Sequence, residues 1–114
     1  MSKYVIGFLR PDVSGEKWGE DEARIHAFAA KRGWSVILVY YGGPNRPGGA
    51  VINRLMNFAY SEHANAVIAP STEHFGHGDI PALAKIADVI CVVTGTRYAA
   101  TDYGQDQTGL VNRQ

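Results

Sequence analysis

Four short apolar runs punctuate the chain: Tyr4–Leu9, Trp34–Tyr41, Ala66–Ala69 and Asp88–Thr94. Each is bounded by polar, Gly or Pro positions, and each has the length of a buried strand rather than of a helix. Between them the spacing changes to a helical period. Glu20 to Arg32 predicts a helix with an acidic start (Glu20, Asp21, Glu22) and a basic end (Lys31, Arg32), which complements the helix dipole; Gly33 is its stop signal. Ile25, Phe28 and Ala29 fall on one face of it. Ala50 to Tyr60 predicts a second helix, with Val51, Leu55 and Phe58 as its buried stripe. Ile80 to Ala87 predicts a short third one, in which Pro81 sits in the tolerated first turn. The connecting segments Val13–Gly19, Gly42–Gly49 and Pro70–Gly78 read as loops. Gly95 to Gln114 is polar and lacks an apolar period, so it reads as irregular.

The order is therefore β-α-β-α-β-α-β. Short apolar strands alternating with amphipathic helices predict a three-layer α/β/α fold around a four-stranded, or slightly larger, mainly parallel sheet. Residues 1–98 are expected to form the domain and residues 99–114 a polar tail. In such sheets a site forms where strand C-termini meet loops. Three segments meet that description: Arg10–Ser14, Gly42–Gly49 and Pro70–Gly78.

Composition narrows the classes of function. The 114 residues have room for one domain. Eleven Lys and Arg balance eleven Asp and Glu, so the formal net charge is zero. A dedicated nucleic-acid binder usually carries a basic excess, so DNA binding by the chain itself is expected to be weak or absent. No stretch approaches the roughly 18 apolar residues of a membrane span, and the start of the chain does not read as a signal peptide. The single cysteine, Cys91, lies in an apolar run and reads as a small core residue of a reducing compartment. A soluble, cytoplasmic domain is the expectation.

Each candidate for chemistry carries two readings. Arg10, directly after the first strand, can bind a phosphate or carboxylate through its fork, or form an edge ion pair with Asp12 or Glu73. Asp12 can ligate a metal, accept from Arg10 or cap the loop. Arg46, before Pro47, can point into a shared cleft or into solvent. Glu73, His74 and His77, with Asp79 close behind, form the densest ligand-type cluster. His74-x-x-His77 is nonetheless too sparse a set to define a metal site, and no cofactor is implied. Ser14 is a hydroxyl without an evident base. His26 and His63 read as surface helix residues. Trp34 reads as core, and Trp18 as an exposed anchor in a loop.

Taken together, these segments resemble the catalytic domain of the serine recombinases, the resolvase and invertase group, from about Tyr4 to Tyr98. Members open with a strand reading roughly Tyr-x-Arg-Val-Ser, where this chain has Phe8-Leu9-Arg10-Pro11-Asp12. Their first helix ends in a stretch similar to Ala30-Lys31-Arg32-Gly33-Trp34. An Arg-Pro pair, here Arg46-Pro47, leads into a helix with a step like Leu55-Met56. After their third strand comes Arg-Leu-Asp-Arg-Leu-Gly-Arg, where this chain has Ser71-Thr72-Glu73-His74-Phe75-Gly76-His77.

The resemblance implies a resolvase-like fold with an altered pocket. In the family a serine attacks a DNA phosphodiester and arginines clamp the phosphate. Asp12 occupies the serine position, and a carboxylate there repels a phosphodiester. Arg10 and Arg46 match two of the family's arginines. Ser71, His74 and His77 replace others, and Glu73 replaces an aspartate. Neutral His has neither the fixed charge nor the fork of Arg. Ser14 lies two residues past the nucleophile position. The family continues into a long dimerising helix and a DNA-binding region, whereas sixteen polar-rich residues follow Tyr98 here. The expected protein is an inactive recombinase-like domain, with Arg10, Asp12, Arg46, Ser71, Glu73, His74 and His77 as a vestigial phosphate pocket. It would act through a protein partner or self-association. Two alternatives stay open: a cleft that binds a small phosphorylated ligand or metal, as a binding domain or a residual enzyme, and an accessory or truncated part of a DNA recombination system.

Overall fold

The computed structural model describes residues 3–43 and 48–99, with the side chains of residues 48–50 left aside. Its sheet has five strands in the order β2-β1-β3-β4-β5. They are β1 (Tyr4–Leu9), β2 (Ser35–Tyr41), β3 (Ala66–Ala69), β4 (Asp88–Cys91) and β5 (Thr96–Tyr98). β1 to β4 run parallel, and β5 turns back antiparallel on β4. The helices are α1 (Pro11–Ser14), α2 (Trp18–Lys31), α3 (Gly48–Ser61) and α4 (Asp79–Ala84). Three-residue 3-10 turns cover Gly15–Lys17 and Thr72–His74.

β1 is the central fact of the topology. It pairs with β2 on one side and β3 on the other, so the chain leaves it in both directions. α2 connects β1 to β2, and α3 connects β2 back across to β3. Ile25 and Ala29 of α2 pack with Val5, Ala66, Ile68 and Ile90 under one face of the sheet. On the other face, Val51, Ile52, Leu55 and Ala59 of α3 and Leu83 and Ala84 of α4 pack with Ile6, Phe8, Val67 and Val89. Strands covered on both faces are near-continuous apolar runs, which is why β1 and β3 carry no alternating polar positions. Gly7 exists for a close approach. A Cβ there would lie 3.1 Å from both Ile25 Cγ2 and Val39 Cγ2.

Helix ends are set by local hydrogen bonding. α2 stops in a Schellman motif: Gly33 (φ +72°) donates to the Ala30 carbonyl and Trp34 to the Ala29 carbonyl, at 3.0 and 2.9 Å. Trp34 then packs edge-on to Phe28, with centroids 6.2 Å apart, which is the apolar contact that accompanies the motif. α3 ends the same way. His63 takes the left-handed position at φ +55°, and Ala64 donates to the Ala59 carbonyl at 2.9 Å. His63 is thus exposed, but in the turn after the helix rather than on it.

Several sequence expectations are corrected here. The Val13–Gly19 segment is helical, because Pro11 starts a turn directly after β1 and the 3-10 turn feeds α2 two residues earlier than expected. Trp18 is therefore the first residue of a helix, not of a loop. Thr96–Tyr98 is a strand within a segment expected to be irregular; β4 ends at Cys91, and a turn at Gly95 (φ +75°) brings the chain back. α4 ends at Ala84 rather than at Ala87. Trp34 is half-buried at the edge of the core. Arg46 and nearly all of the polar tail lie outside the described residues.

Candidate functional site

β1 and β3 end side by side at the point where the connections diverge, and the candidate site forms there. A small cleft of about 30 Å³ is lined by Phe8, Arg10, Gly43, Val51, Ile52, His74 and Asp79.

Arg10 is held from both sides of its peptide unit. Its carbonyl accepts from Val13 at 2.9 Å and from Ser14 at 3.1 Å, closing the turn of α1. Its N–H donates to Nδ1 of His74 at 2.9 Å, across 64 residues of sequence. The side chain then folds onto Asp12, with Nε donating to Oδ1 at 3.2 Å and Nη2 to Oδ2 at 2.7 Å. This two-point pair matches the guanidinium fork to the carboxylate plane. The Arg10 hydrogen bond, and then its charge, hold the Asp12 carboxyl below the ordinary value of 3.8. Of the two partners weighed for Arg10, it takes Asp12. Gly42 lets this happen, since a Cβ on it would lie 3.0 Å from Arg10 Cγ and 3.3 Å from Phe8 Cζ.

His74, in the third loop, turns inward. It is 3% exposed, and among the described residues it is the one buried polar side chain. The turn that aims it is capped by Ser71, whose Oγ accepts from the Glu73 N–H at 3.3 Å. Because Nδ1 accepts from a backbone N–H, the neutral ring carries its proton on Nε2. Burial holds the imidazole below its ordinary value of 6.5. Phe75 follows and stacks on Phe8 with centroids 5.2 Å apart, anchoring the loop to the core. Glu73 and His77 point outward and are exposed, and Ser71 is half-buried. Asp79 accepts from the Gly76 N–H and begins α4. Among the described residues no group of three or more His, Cys, Asp or Glu side chains is placed to hold a metal ion.

Ser14 does have a carboxylate neighbour, which the sequence did not reveal. Its Oγ donates to Asp21 Oδ2 at 2.6 Å, and Arg24 Nη1 donates to Asp21 Oδ1 at 3.1 Å. Asp21 is thus shared between a hydroxyl and a guanidinium, and the set ties α1 to α2. Tyr41, at the end of β2, donates to Glu22, and its ring meets Trp18 edge-on at 6.4 Å. Trp18 is 46% exposed. Cys91 is fully buried, and burial pushes its thiol up.

A resolvase-family site-specific recombinase from Streptococcus pneumoniae superposes with a TM-score of 0.71 at 16% identity, covering 99% of this chain and 93% of that one. The N-terminal catalytic domain of TP901-1 integrase superposes with a TM-score of 0.62 at 18% identity, covering 96% of this chain and 89% of that one. No protein-family model and no curated protein matches the sequence. The chain therefore has the fold of the serine recombinase catalytic domain. No helix among the described residues is long and apolar enough to cross a membrane.

Proposed function

We propose that this domain keeps the recombinase fold without the strand-cleavage chemistry, and that it works through protein contacts, with a partner or with itself. The carrying observation is the two-point ion pair between Arg10 and Asp12. In the resembled family, the position of Asp12 holds the serine that attacks the phosphodiester, and Arg10 matches an arginine that clamps the phosphate. Here the first residue is a carboxylate and the second is neutralised by it. A DNA phosphate approaching Arg10 would have to displace Asp12, a ligand already placed two residues away. The loop after β3 brings His74 to the neighbouring cleft, where the resembled family has arginine. The same ion pair weighs against a small phosphorylated ligand. The lone buried Cys91 fits a cytoplasmic setting.

Incubation with supercoiled plasmid carrying varied sequence is the test, read for nicked and linear products and for protein that stays on DNA in detergent. Neither product is expected. A phosphoserine-linked adduct, through Ser14 or any other serine, would overturn the reading. Light scattering of the purified chain then separates self-association from dependence on another protein.

A further inference from the structure

The contact between His74 and Arg10 joins two segments that the sheet does not join. β1 and β3 pair through Val5–Gly7 and Ala66–Ile68 and then separate. Past that point the end of β1 and the loop after β3 meet through the Phe8–Phe75 stack and through the hydrogen bond from the Arg10 N–H to His74 Nδ1. An imidazole is an unusual acceptor for such a link, because protonation converts it to a donor at both nitrogens. A main-chain N–H facing an Nδ1–H is a donor facing a donor, and the bond cannot survive that change.

We propose that the His74–Arg10 bond is a proton-operated latch: the neutral ring ties the third loop to the start of α1, and the imidazolium releases that tie while Phe75 still anchors the loop on Phe8. The charges that act on the ring come from the elements around it. Arg10 at the end of β1 and Asp12 on α1 form one pair of opposite sign. Asp21 lies on α2, Glu73 on the ring's own turn and Asp79 on α4 at the cleft wall. From α3 the cleft receives Val51 and Ile52, which bring no charge. Burial and the Arg10 guanidinium oppose protonation, while Asp21, Glu73 and Asp12 favour it. The released state has two local consequences. Arg10 loses the restraint on its peptide, so its fork with Asp12 loosens. The imidazolium also adds a positive charge to a cleft that is otherwise neutral. The latch does not depend on whether the domain cleaves DNA.

Nitrogen-15 NMR on the intact chain tests it. At about pH 7.5, long-range proton–nitrogen spectra are expected to show His74 as the Nε2–H form with an unprotonated, accepting Nδ1. As pH falls, the His74 ring, the Arg10 amide and the Asp12 carboxyl are expected to shift with one common midpoint, below 6.5. Exchange of the Arg10 amide, corrected for its intrinsic pH dependence, should speed up about tenfold as the latch opens. In His74→Gln the side-chain oxygen can accept at every pH, so the Arg10 amide should no longer titrate; His77→Gln should leave the titration in place. An Nδ1–H form at neutral pH would overturn the proposal. So would a His74 that stays neutral until the protein unfolds, or an Arg10 amide that is silent while His74 titrates. The wild-type midpoints decide the matter even if His74→Gln fails to fold.

Discussion

Gly7 is the position where a single added methyl group should be felt most clearly. It lies mid-β1, between α2 and the neighbouring strand, and its missing Cβ would sit 3.1 Å from Ile25 Cγ2 and 3.1 Å from Val39 Cγ2. Both contacts are tighter than ordinary van der Waals distance, and Ile25 is fully buried, so α2 has little room to yield. Overpacking of this kind costs about 1–3 kcal/mol. Gly7→Ala also restricts the unfolded chain, which returns about 0.4–1 kcal/mol. The net expectation is a loss of about 1–2 kcal/mol. For a domain of this size that lowers the melting temperature by roughly 4–8 °C per kcal/mol. Differential scanning calorimetry or denaturant unfolding reads it directly. Because Val39 Cγ2 is half of the clash, Val39→Ala in the Gly7→Ala background should cost less than it does alone, with a coupling of at least about 0.5 kcal/mol. An unchanged or raised melting temperature in Gly7→Ala, or strict additivity in the double variant, would refute the claim that β1 is clamped between α2 and β2.

Two further outcomes follow from the same geometry. Asp12 is held below 3.8, so the unfolded chain binds its proton first as pH falls; its contribution is complete above 3.8 and is lost as pH drops through the lower folded value. A carboxyl carbon-13 titration should place Asp12 below 3.8 and lose that displacement in Arg10→Ala. Replacing His63 by Gly should stabilise the fold by roughly 0.5–1 kcal/mol, because the left-handed cap of α3 strains a side chain and suits glycine; a lower midpoint in urea would contradict the capping assignment.

The layered fold was legible in the chain because its signals are local. Tyr4–Leu9 and Ala66–Ala69 are apolar runs cut off by Arg10 and Pro70, and Gly33 stops α2 where a stop was expected. What stayed hidden depends on residues far apart in sequence. No spacing rule links His74 to Arg10, or Ser14 to Asp21 once Gly15 and Gly19 make the segment between them read as a loop. β5 escaped because Thr96-Arg97-Tyr98 is too short and polar to register as a strand; it is held by pairing to β4 and by the Arg97–Asp88 ion pair across the hairpin. At the site itself, the sequence left Arg10 open between binding a phosphate or carboxylate and an edge ion pair with Asp12 or Glu73; the geometry pairs it with Asp12. Asp12 sits on the turn that Pro11 starts, within reach of the fork, whereas Glu73 lies on the exposed side of its turn.

The proposal that this recombinase fold lacks strand-cleavage chemistry rests on the Arg10–Asp12 pair. It is tested most directly by detergent gel analysis of wild-type protein after incubation with supercoiled DNA. The account predicts that the plasmid stays supercoiled and that no protein remains attached to it. Nicked or linear plasmid with a serine covalently joined to a DNA end would contradict it.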